Sequence, residues 1–176
     1  MPRFTEKSVV EDYLIKELVQ KGWRFVPADE LERESLEEPL LTNNLLRALN
    51  RLNADIGIGA EEIKHVLNEL KLKASGIEGS KQILNFFKSG VAVKFEKERV
   101  VKFIRLFDYD NPDNNEFIVS RQITYQSGDK TIRADIMLYV NGLPLAIIEC
   151  KNPVSFSTNW FEGYRQIKDY EKAVPE

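Results

Sequence analysis

Residues 133–153 read RADIMLYVNGLPLAIIECKNP, and this stretch decides the fold. It contains two apolar runs joined by Asn141-Gly142, a dipeptide that favours a tight β-hairpin turn. Three charges interrupt the apolar pattern, with Asp135 in the first run and Glu149 and Lys151 at the end of the second. A charge on a buried strand is costly unless it is paired or bound to a metal. The three charges therefore mark a candidate site.

The rest of the chain predicts helices first and strands second. The capping-box pattern Ser8-Val-Val-Glu11 predicts the start of a helix that ends at Gly22. Residues 23–26 predict a short strand, and the acidic residues 29–38 predict a solvated helix or loop. Further helices are predicted at 42–53, 60–73, 79–89 and 158–172, and strands within 91–107 and at 117–125, 131–140 and 143–150.

This order predicts an α/β fold with a largely helical N-terminal half. We expect one domain, residues 1–176, because 176 residues can bury a core of useful size. Within it, residues 1–90 are mainly helical, and residues 91–176 are rich in strands and carry the candidate site. The last predicted helix is followed by no closing element, so we expect the chain to be part of a longer protein.

Composition narrows the class of protein. The chain has 25 Lys and Arg against 28 Asp and Glu, so it lacks the basic excess typical of nucleic-acid binders. No apolar run approaches the roughly 18 residues of a membrane span, and no signal peptide is recognisable. Cys150 is the single cysteine, which excludes disulfides within the chain. We expect a cytoplasmic protein without membrane contact, in which any DNA contact rests on a local patch or on other domains.

The pairing of the two strands decides whether the charges meet. Side chains alternate between the faces of a strand, so Glu149 and Lys151 share one face. A regular two-residue loop at Asn141-Gly142 places Asp135 opposite Ile148, and the two carboxylates then point to opposite faces. A three-residue loop, or a β-bulge elsewhere, brings them to one face. If the charges act together, we therefore expect an irregular loop or a bulge, with Gly142 the best candidate for a positive φ.

Two carboxylates beside a lysine suit a hard divalent cation. Mg²⁺ prefers oxygen ligands and is held by one or two carboxylates together with water and substrate phosphates. Such an ion activates water and stabilises charge on a phosphoryl oxygen, and a lysine can orient the water or meet the same charge. An isolated Glu-x-Lys is more often a surface ion pair. Here the neighbours Ile147, Ile148 and Cys150 favour a buried site.

These residues resemble the active-site motif of PD-(D/E)xK nucleases. More narrowly, the chain resembles the N-terminal nuclease domain of the restriction (R) subunit of type I restriction-modification enzymes. Residues 134–153 are the most specific part of the resemblance, and Gln166-Ile-Lys-Asp-Tyr170 matches the family's Q-x-x-x-Y motif. Residues 27–100 carry little of it, and Ala134 replaces the proline that names the superfamily. The resemblance implies a restriction-endonuclease-like core, with a mixed, mainly antiparallel sheet flanked by helices.

The resemblance implies a catalytic set of Asp135, Glu149 and Lys151. Asp135 and Glu149 would bind Mg²⁺, and the main-chain carbonyl of Cys150 would be a further ligand. Lys151 would be the catalytic lysine. The thiol of Cys150 is expected to be a small buried group, since its neighbours on the strand are apolar.

Two helices are implied to support this site. Gln166 and Tyr170 would lie on one face of the helix after the strand pair and position the DNA. Glu11 on the first helix is a candidate further metal ligand, with Glu6 as its competitor.

The function implied by the resemblance is a Mg²⁺-dependent endonuclease that hydrolyses phosphodiester bonds in double-stranded DNA. An ATP-driven motor would accompany it in the full-length protein, and ATP would bind there. Double-stranded DNA and the methylation and specificity subunits are the implied partners. The alternative is a non-catalytic DNA-binding or subunit-docking module that keeps the nuclease fold. The presence of Asp135, Glu149 and Lys151 favours the nuclease.

An aromatic cluster near the start of the last predicted helix allows two interpretations. Trp160, Phe161 and Tyr164 could stack on bases. Such a cluster more often packs a helix against a sheet, and we expect packing here.

Overall fold

The computed structural model describes residues 6–72, 76–96, 99–151 and 160–174, with side chains from residue 9 onward. Contacts divide the chain into two compact units: the first contains the chain through Leu41 and again from Phe117, and the second contains residues 42–116. The change from helices to strands near residue 90 falls inside the second unit.

The described elements follow one another in a simple order. They are α1 (Glu6–Gln20), β1 (Arg24–Phe25), α2 (Thr42–Leu52), α3 (Ala60–Lys71), α4 (Gly76–Ser89), β2 (Val91–Phe95), β3 (Val100–Ile104), β4 (Phe117–Ser127), β5 (Lys130–Val140), β6 (Leu143–Ile148) and α5 (Trp160–Ala173), with short 3-10 turns at Ala28–Glu30 and Pro112–Asn114.

A four-stranded sheet is the centre of the first unit. Its strand order is β1-β4-β5-β6, in which β1 runs parallel to β4 while the other neighbours are antiparallel. The predicted α/β fold with a mixed, mainly antiparallel sheet is confirmed, as is the helical N-terminal half.

Helices cover both faces of this sheet. On one face, Ile15 of α1 is buried with Val119, Ile136 and Cys150, so α1 packs over the middle strands. On the other face, Tyr170 and the residues that follow it in α5 pack against a second buried cluster. That cluster comprises Val26, Leu41, Ile118, Ile123, Tyr125, Ile132, Met137 and Tyr139. Burial of each large apolar side chain stabilises the unit by roughly 1.5–3 kcal/mol.

The long β4–β5 ribbon changes direction at Gln122. Ile118 and Ile123 are five residues apart and would face opposite ways in a regular strand, yet both belong to the same buried cluster. Between them Gln122 has φ 55, a left-handed conformation that breaks the alternation. Beyond this point the Tyr125 hydroxyl reaches the Tyr139 hydroxyl and forms a buried hydrogen bond with it. The side chains of β4 on both sides of Gln122 therefore contribute to one core.

The second unit contains the three middle helices and the β2–β3 hairpin. β2 and β3 pair antiparallel from Val91 opposite Ile104 to Phe95 opposite Val100. Asn53, fully buried at the end of α2, fixes the chain after β3: its amide nitrogen donates to Arg105 O at 2.9 Å, and its side-chain oxygen accepts from Arg105 N at 2.8 Å.

Several predicted boundaries shift by a few residues. α1 begins at Glu6, so Ser8 lies inside the helix rather than at its cap. α4 begins at Gly76, three residues before its predicted start at residue 79. The acidic segment 29–38 is a 3-10 turn followed by irregular chain. The predicted helix start at residues 158–159 lies outside the described residues. No helix within the described ranges is both long and apolar enough to cross a bilayer.

Candidate active site

The β5–β6 hairpin has a regular two-residue loop. Val140 pairs with Leu143, and Asn141 and Gly142 between them have φ 53 and φ 83. Two consecutive positive φ values are typical of a type I′ turn, which Asn-Gly favours. The positive φ of Gly142 confirms that prediction, whereas the three-residue loop is not formed.

A β-bulge in β6 then corrects the register. Tyr139 pairs with Pro144, but Leu138 pairs with Ala146, so Leu145 is an extra residue on β6. Pro144 contributes to this irregularity, because proline has no N–H for a regular ladder and is confined to edge strands and bulges. The predicted bulge between the two carboxylates is confirmed.

The bulge brings the two carboxylates to one face of the sheet. After it, Ile136 pairs with Ile148, and one further step in this register places Asp135 opposite Glu149. Without the extra residue, Asp135 would lie opposite Ile148 and Glu149 would point away. Lys151, two residues after Glu149, projects to the same side. The sequence-predicted triad therefore lies on one face of the sheet, where β6 ends.

Asp135 is buried, with 2% of its surface exposed. Its Oδ2 accepts a hydrogen bond from the main-chain N–H of Cys150 at 2.9 Å, and its Oδ1 accepts one from Gln122 Nε2 at 3.2 Å. Hydrogen bonds to an ionised carboxylate offset part of the cost of burying it. The first of them also holds the end of β6 against β5, so the predicted ligands Asp135 and Cys150 are neighbours.

Glu149 and Lys151 form a largely buried ion pair. Lys151 Nζ lies 3.0 Å from Glu149 Oε1, and the two side chains are 21% and 1% exposed, respectively. Lys151 Nζ also donates to Gln166 Oε1 on α5. Gly163, one turn before Gln166, lies beside the Lys151 stem, since a Cβ at this position would be in ordinary van der Waals contact with Lys151 Cε at 3.6 Å. The lysine is thus held between the strand and the helix.

Tyr170 closes the other side of Glu149. Its hydroxyl lies 3.2 Å from Glu149 Oε2 and 2.8 Å from Arg133 O, and it accepts a hydrogen bond from Gln166 Nε2. Burial, together with the charge of Glu149, raises the pKa of Tyr170, so the hydroxyl remains a protonated donor. Gln166 and Tyr170, the two polar residues of the Q-x-x-x-Y motif, therefore both contact the triad.

Glu11 is buried on α1, with 5% of its surface exposed, and it meets the site through a residue that the sequence analysis missed. Gln122 Nε2 lies 3.1 Å from each carboxylate oxygen of Glu11, as well as 3.2 Å from Asp135 Oδ1. The sequence signal for Gln122 was a polar residue within an apolar strand. This signal is weak, because glutamine is common at exposed positions of strands without any functional role. The side chain of the competitor Glu6 lies outside the described part.

The expected metal ligands are two side-chain carboxylates and one main-chain carbonyl. Across the ranges that the structure describes, no group of three His, Cys, Asp and Glu side chains is arranged to hold a metal ion. The expected set is of another kind, since it combines the Asp135 and Glu149 carboxylates with the Cys150 main-chain carbonyl. A carboxylate oxygen has two lone pairs, so it can accept a hydrogen bond and bind a cation at the same time. Two buried carboxylates on one face of the sheet, with the main chain of Cys150 beside Asp135, fit Mg²⁺, which completes its shell with water and phosphate.

The aromatic cluster at the start of α5 does not pack against the sheet. Trp160, Phe161 and Tyr164 are 79%, 42% and 50% exposed, so the expectation of packing is wrong. The reason is the helix's orientation: the small residue Gly163 and the polar pair Gln166 and Tyr170 face the sheet instead.

Comparison with known proteins points to one family. A family model for the N terminus of the type I restriction enzyme R protein matches residues 3–176. A Methanocaldococcus jannaschii protein provisionally named type I restriction enzyme MjaIXP endonuclease subunit is 27% identical over 187 residues, covering 99% of this chain and 18% of that protein. The type I restriction enzyme HindI endonuclease subunit of Haemophilus influenzae is 26% identical over 180 residues, covering 95% of this chain and 17% of that protein.

The mixed sheet flanked by helices is an α/β fold. Two carboxylates and a lysine lie together on one face of its sheet. The match over nearly the whole chain is specific: the protein belongs to the family of type I restriction enzyme R protein N-terminal regions. The chain spans less than a fifth of the length of the two relatives.

Proposed function

We propose that this chain is a Mg²⁺-dependent endonuclease domain that hydrolyses phosphodiester bonds in double-stranded DNA. The observation that carries the proposal is the bulge at Leu145, which brings Asp135 and Glu149 to one face of the sheet, where Lys151 pairs with Glu149. A bulge that re-aims a side chain is a feature typical of active sites. The names of the relatives, which are endonuclease subunits of restriction enzymes, support the same function.

Each residue of the site would have a separate role in this reaction. Asp135, Glu149 and the main-chain carbonyl of Cys150 would hold Mg²⁺, which supplies Lewis acidity and lowers the pKa of a bound water. Lys151 carries a positive charge at the edge of the site, where negative charge builds up on the phosphate during hydrolysis. Gln166 fixes the lysine from α5. Burial of both carboxylates keeps bulk water from weakening these interactions.

We further propose that this domain works within a larger assembly. ATP would bind to a motor outside this chain. The partners would be double-stranded DNA, a methylation subunit and a specificity subunit. The non-catalytic DNA-binding or docking module remains the rival, and it predicts that the triad can be changed without loss of cleavage.

The test is the triad in the assembled restriction enzyme. Asp135→Ala, Glu149→Ala and Lys151→Ala should each reduce DNA cleavage by about 100-fold or more, because the two carboxylates would hold the metal and the lysine would stabilise the charge on the phosphate. ATP hydrolysis should persist. Asp169→Ala is the matched control, since Asp169 lies on α5 with 72% of its side chain exposed and pairs only at the surface with Lys172. Wild-type cleavage by Asp135→Ala would exclude the nuclease and leave the rival.

A further inference from the structure

Gln122 stands at an irregular point in an otherwise regular ribbon. Arg121 pairs with Ile136 and Ile123 pairs with Ala134, so the register on both sides places Gln122 opposite Asp135, yet these two residues do not pair. The backbone of Gln122 is left-handed, with φ 55. This conformation is unfavourable for a residue that is neither glycine nor asparagine, and strain of this kind tends to collect at functional sites.

The side chain of Gln122 lies between two buried carboxylates. A single nitrogen, Nε2, lies 3.1 Å from both oxygens of Glu11 and 3.2 Å from Asp135 Oδ1. An amide nitrogen has two hydrogens, so it can serve both carboxylates at once. Like charges in a buried position repel each other strongly. A donor shared between them reduces that repulsion and fixes the distance between α1 and β5 at this point.

We propose that Gln122 is a positioning residue of this site, which holds Asp135 in place for the metal and ties Glu11 to it. The inference rests on the proposed function, because it assigns Asp135 to the metal. The left-handed backbone of Gln122 makes this contact possible, since it bends β4 and turns the Gln122 amide toward the two carboxylates. Partners that orient a metal ligand through a hydrogen bond typically contribute about 10- to 100-fold in metal affinity or activity.

Glutamine suits this position better than other side chains. A lysine or arginine would neutralise the carboxylates and compete with the cation for them. A glutamate would add a third negative charge, and leucine would leave both carboxylates without this donor. A neutral amide orients the carboxylates and leaves their charge for the metal.

The experiment separates the amide from the backbone bend. Gln122→Gly keeps a left-handed backbone without strain and removes the amide. The full-length subunit is loaded with Fe²⁺ in place of Mg²⁺ and treated with ascorbate and peroxide, and cleavage of its own polypeptide near Asp135 and Glu149 is followed against Fe²⁺ concentration. We expect half-saturation to require about 10-fold more Fe²⁺ in Gln122→Gly. DNA cleavage by the assembled enzyme should fall by a similar factor, through kcat rather than through KM for DNA.

Two controls make the result decisive. Arg99 has φ 56 in the other compact unit, so Arg99→Gly makes the same change in backbone freedom and should behave as wild type. Gln122→Asn, which tolerates a left-handed backbone but is one methylene shorter, should also bind Fe²⁺ more weakly. Wild-type Fe²⁺ affinity in Gln122→Gly would overturn the inference and reduce Gln122 to a bend. If Asp135→Ala leaves the Fe²⁺-dependent cleavage intact, the proposed function fails instead.

Discussion

Tyr170 has one hydroxyl hydrogen and two acceptors within reach. Arg133 O lies at 2.8 Å and Glu149 Oε2 at 3.2 Å, so the hydrogen is shared between the strand β5 and the candidate metal ligand. Tyr170→Phe removes the hydroxyl but keeps the ring that packs against the core cluster. We therefore expect it to lower DNA cleavage by about 10-fold while changing the unfolding free energy by about 1 kcal/mol.

Larger changes on the same helix should separate packing from positioning. Tyr170→Ala also removes the ring and should cost about 2–3 kcal/mol more in unfolding free energy than Tyr170→Phe. Gln166→Ala should impair cleavage and leave stability nearly unchanged, because Gln166 contacts polar groups only at Lys151 and Tyr170 among its described hydrogen bonds. Urea denaturation and single-turnover cleavage are the measurements. Full cleavage by Gln166→Ala would remove that residue from the site.

For single residues, the sequence identifies the chemical groups of the site more readily than their conformations and contacts. Asp135, Glu149 and Lys151 stand out because charges interrupt apolar strands, and this signal requires no structure. Gln122 gives no such signal, because its importance comes from a left-handed φ and from a helix more than a hundred residues earlier in the chain. The sequence pattern shows neither the φ of a single residue nor a contact between residues that lie so far apart in the chain.

The elements themselves follow closely from periodicity. The helices at Thr42–Leu52 and Ala60–Lys71 lie within one or two residues of their predicted bounds, since apolar spacing and glycines define them. The sequence predicted a bulge without its position, because Asn141-Gly142 is the strongest turn signal in this stretch. Pro144, inside the run of β6, was the better signal, since a proline cannot continue a ladder. The regular turn and the bulge together give the register that the charges require.

The β4–β5 ribbon contains a second element-scale feature, the buried pair of Tyr125 and Tyr139. Burial, followed by the neighbouring Tyr139, strongly raises the pKa of Tyr125, and burial raises that of Tyr139 as well. In the unfolded chain both titrate near pH 10. Below about pH 10 both states are protonated and the stability is fully present. As pH rises further only the unfolded state ionises, so stability is lost at up to about 1.4 kcal/mol per pH unit for each residue.

We therefore expect urea unfolding free energies of the wild type to fall steeply above about pH 10. The double variant Tyr125→Phe, Tyr139→Phe should fall less steeply over the same range. Tyr13→Phe is the control, because Tyr13 is 61% exposed. Lysines also titrate in this range, but they are common to all three proteins, so the comparison isolates the tyrosine pair. Identical slopes in the wild type and the double variant would contradict the assignment.

For the whole molecule, sequence patterning predicts the fold class and secondary structure well but not the grouping of elements. The prediction of a mainly helical part through residue 90 and a strand-rich part after it describes the order of the elements along the chain. Contacts instead join the start of the chain to its end and leave residues 42–116 as a unit of their own. This grouping depends on β1 pairing with β4 across more than ninety residues. Two residues of strand at Arg24–Phe25 carry too little pattern to predict such a partner.

The charge balance of the whole molecule leads to the last prediction. The formal net charge is −3, and exposed basic residues such as Lys81, Arg121 and Lys168 pair with carboxylates of this chain. Because acidic residues outnumber basic ones, the chain lacks the positive excess that drives non-specific DNA binding, and we expect it to neutralise only a few phosphates. We therefore expect the 176-residue chain to bind duplex DNA with a Kd weaker than about 10⁻⁶ M at physiological salt, and log K to fall with log salt with a slope of about −2 to −3.

Fluorescence anisotropy of a labelled duplex over a salt series would measure both quantities. Lys151→Ala should make the slope shallower by about one if Lys151 meets a phosphate. Lys172→Ala serves as the control, because Lys172 is 77% exposed and pairs with Asp169 on the outer side of α5. Nanomolar binding with a steep salt dependence would mean that this chain alone recruits DNA. Weak binding with the expected slopes would mean that the chain contributes the reacting groups and that other parts of the enzyme supply the affinity.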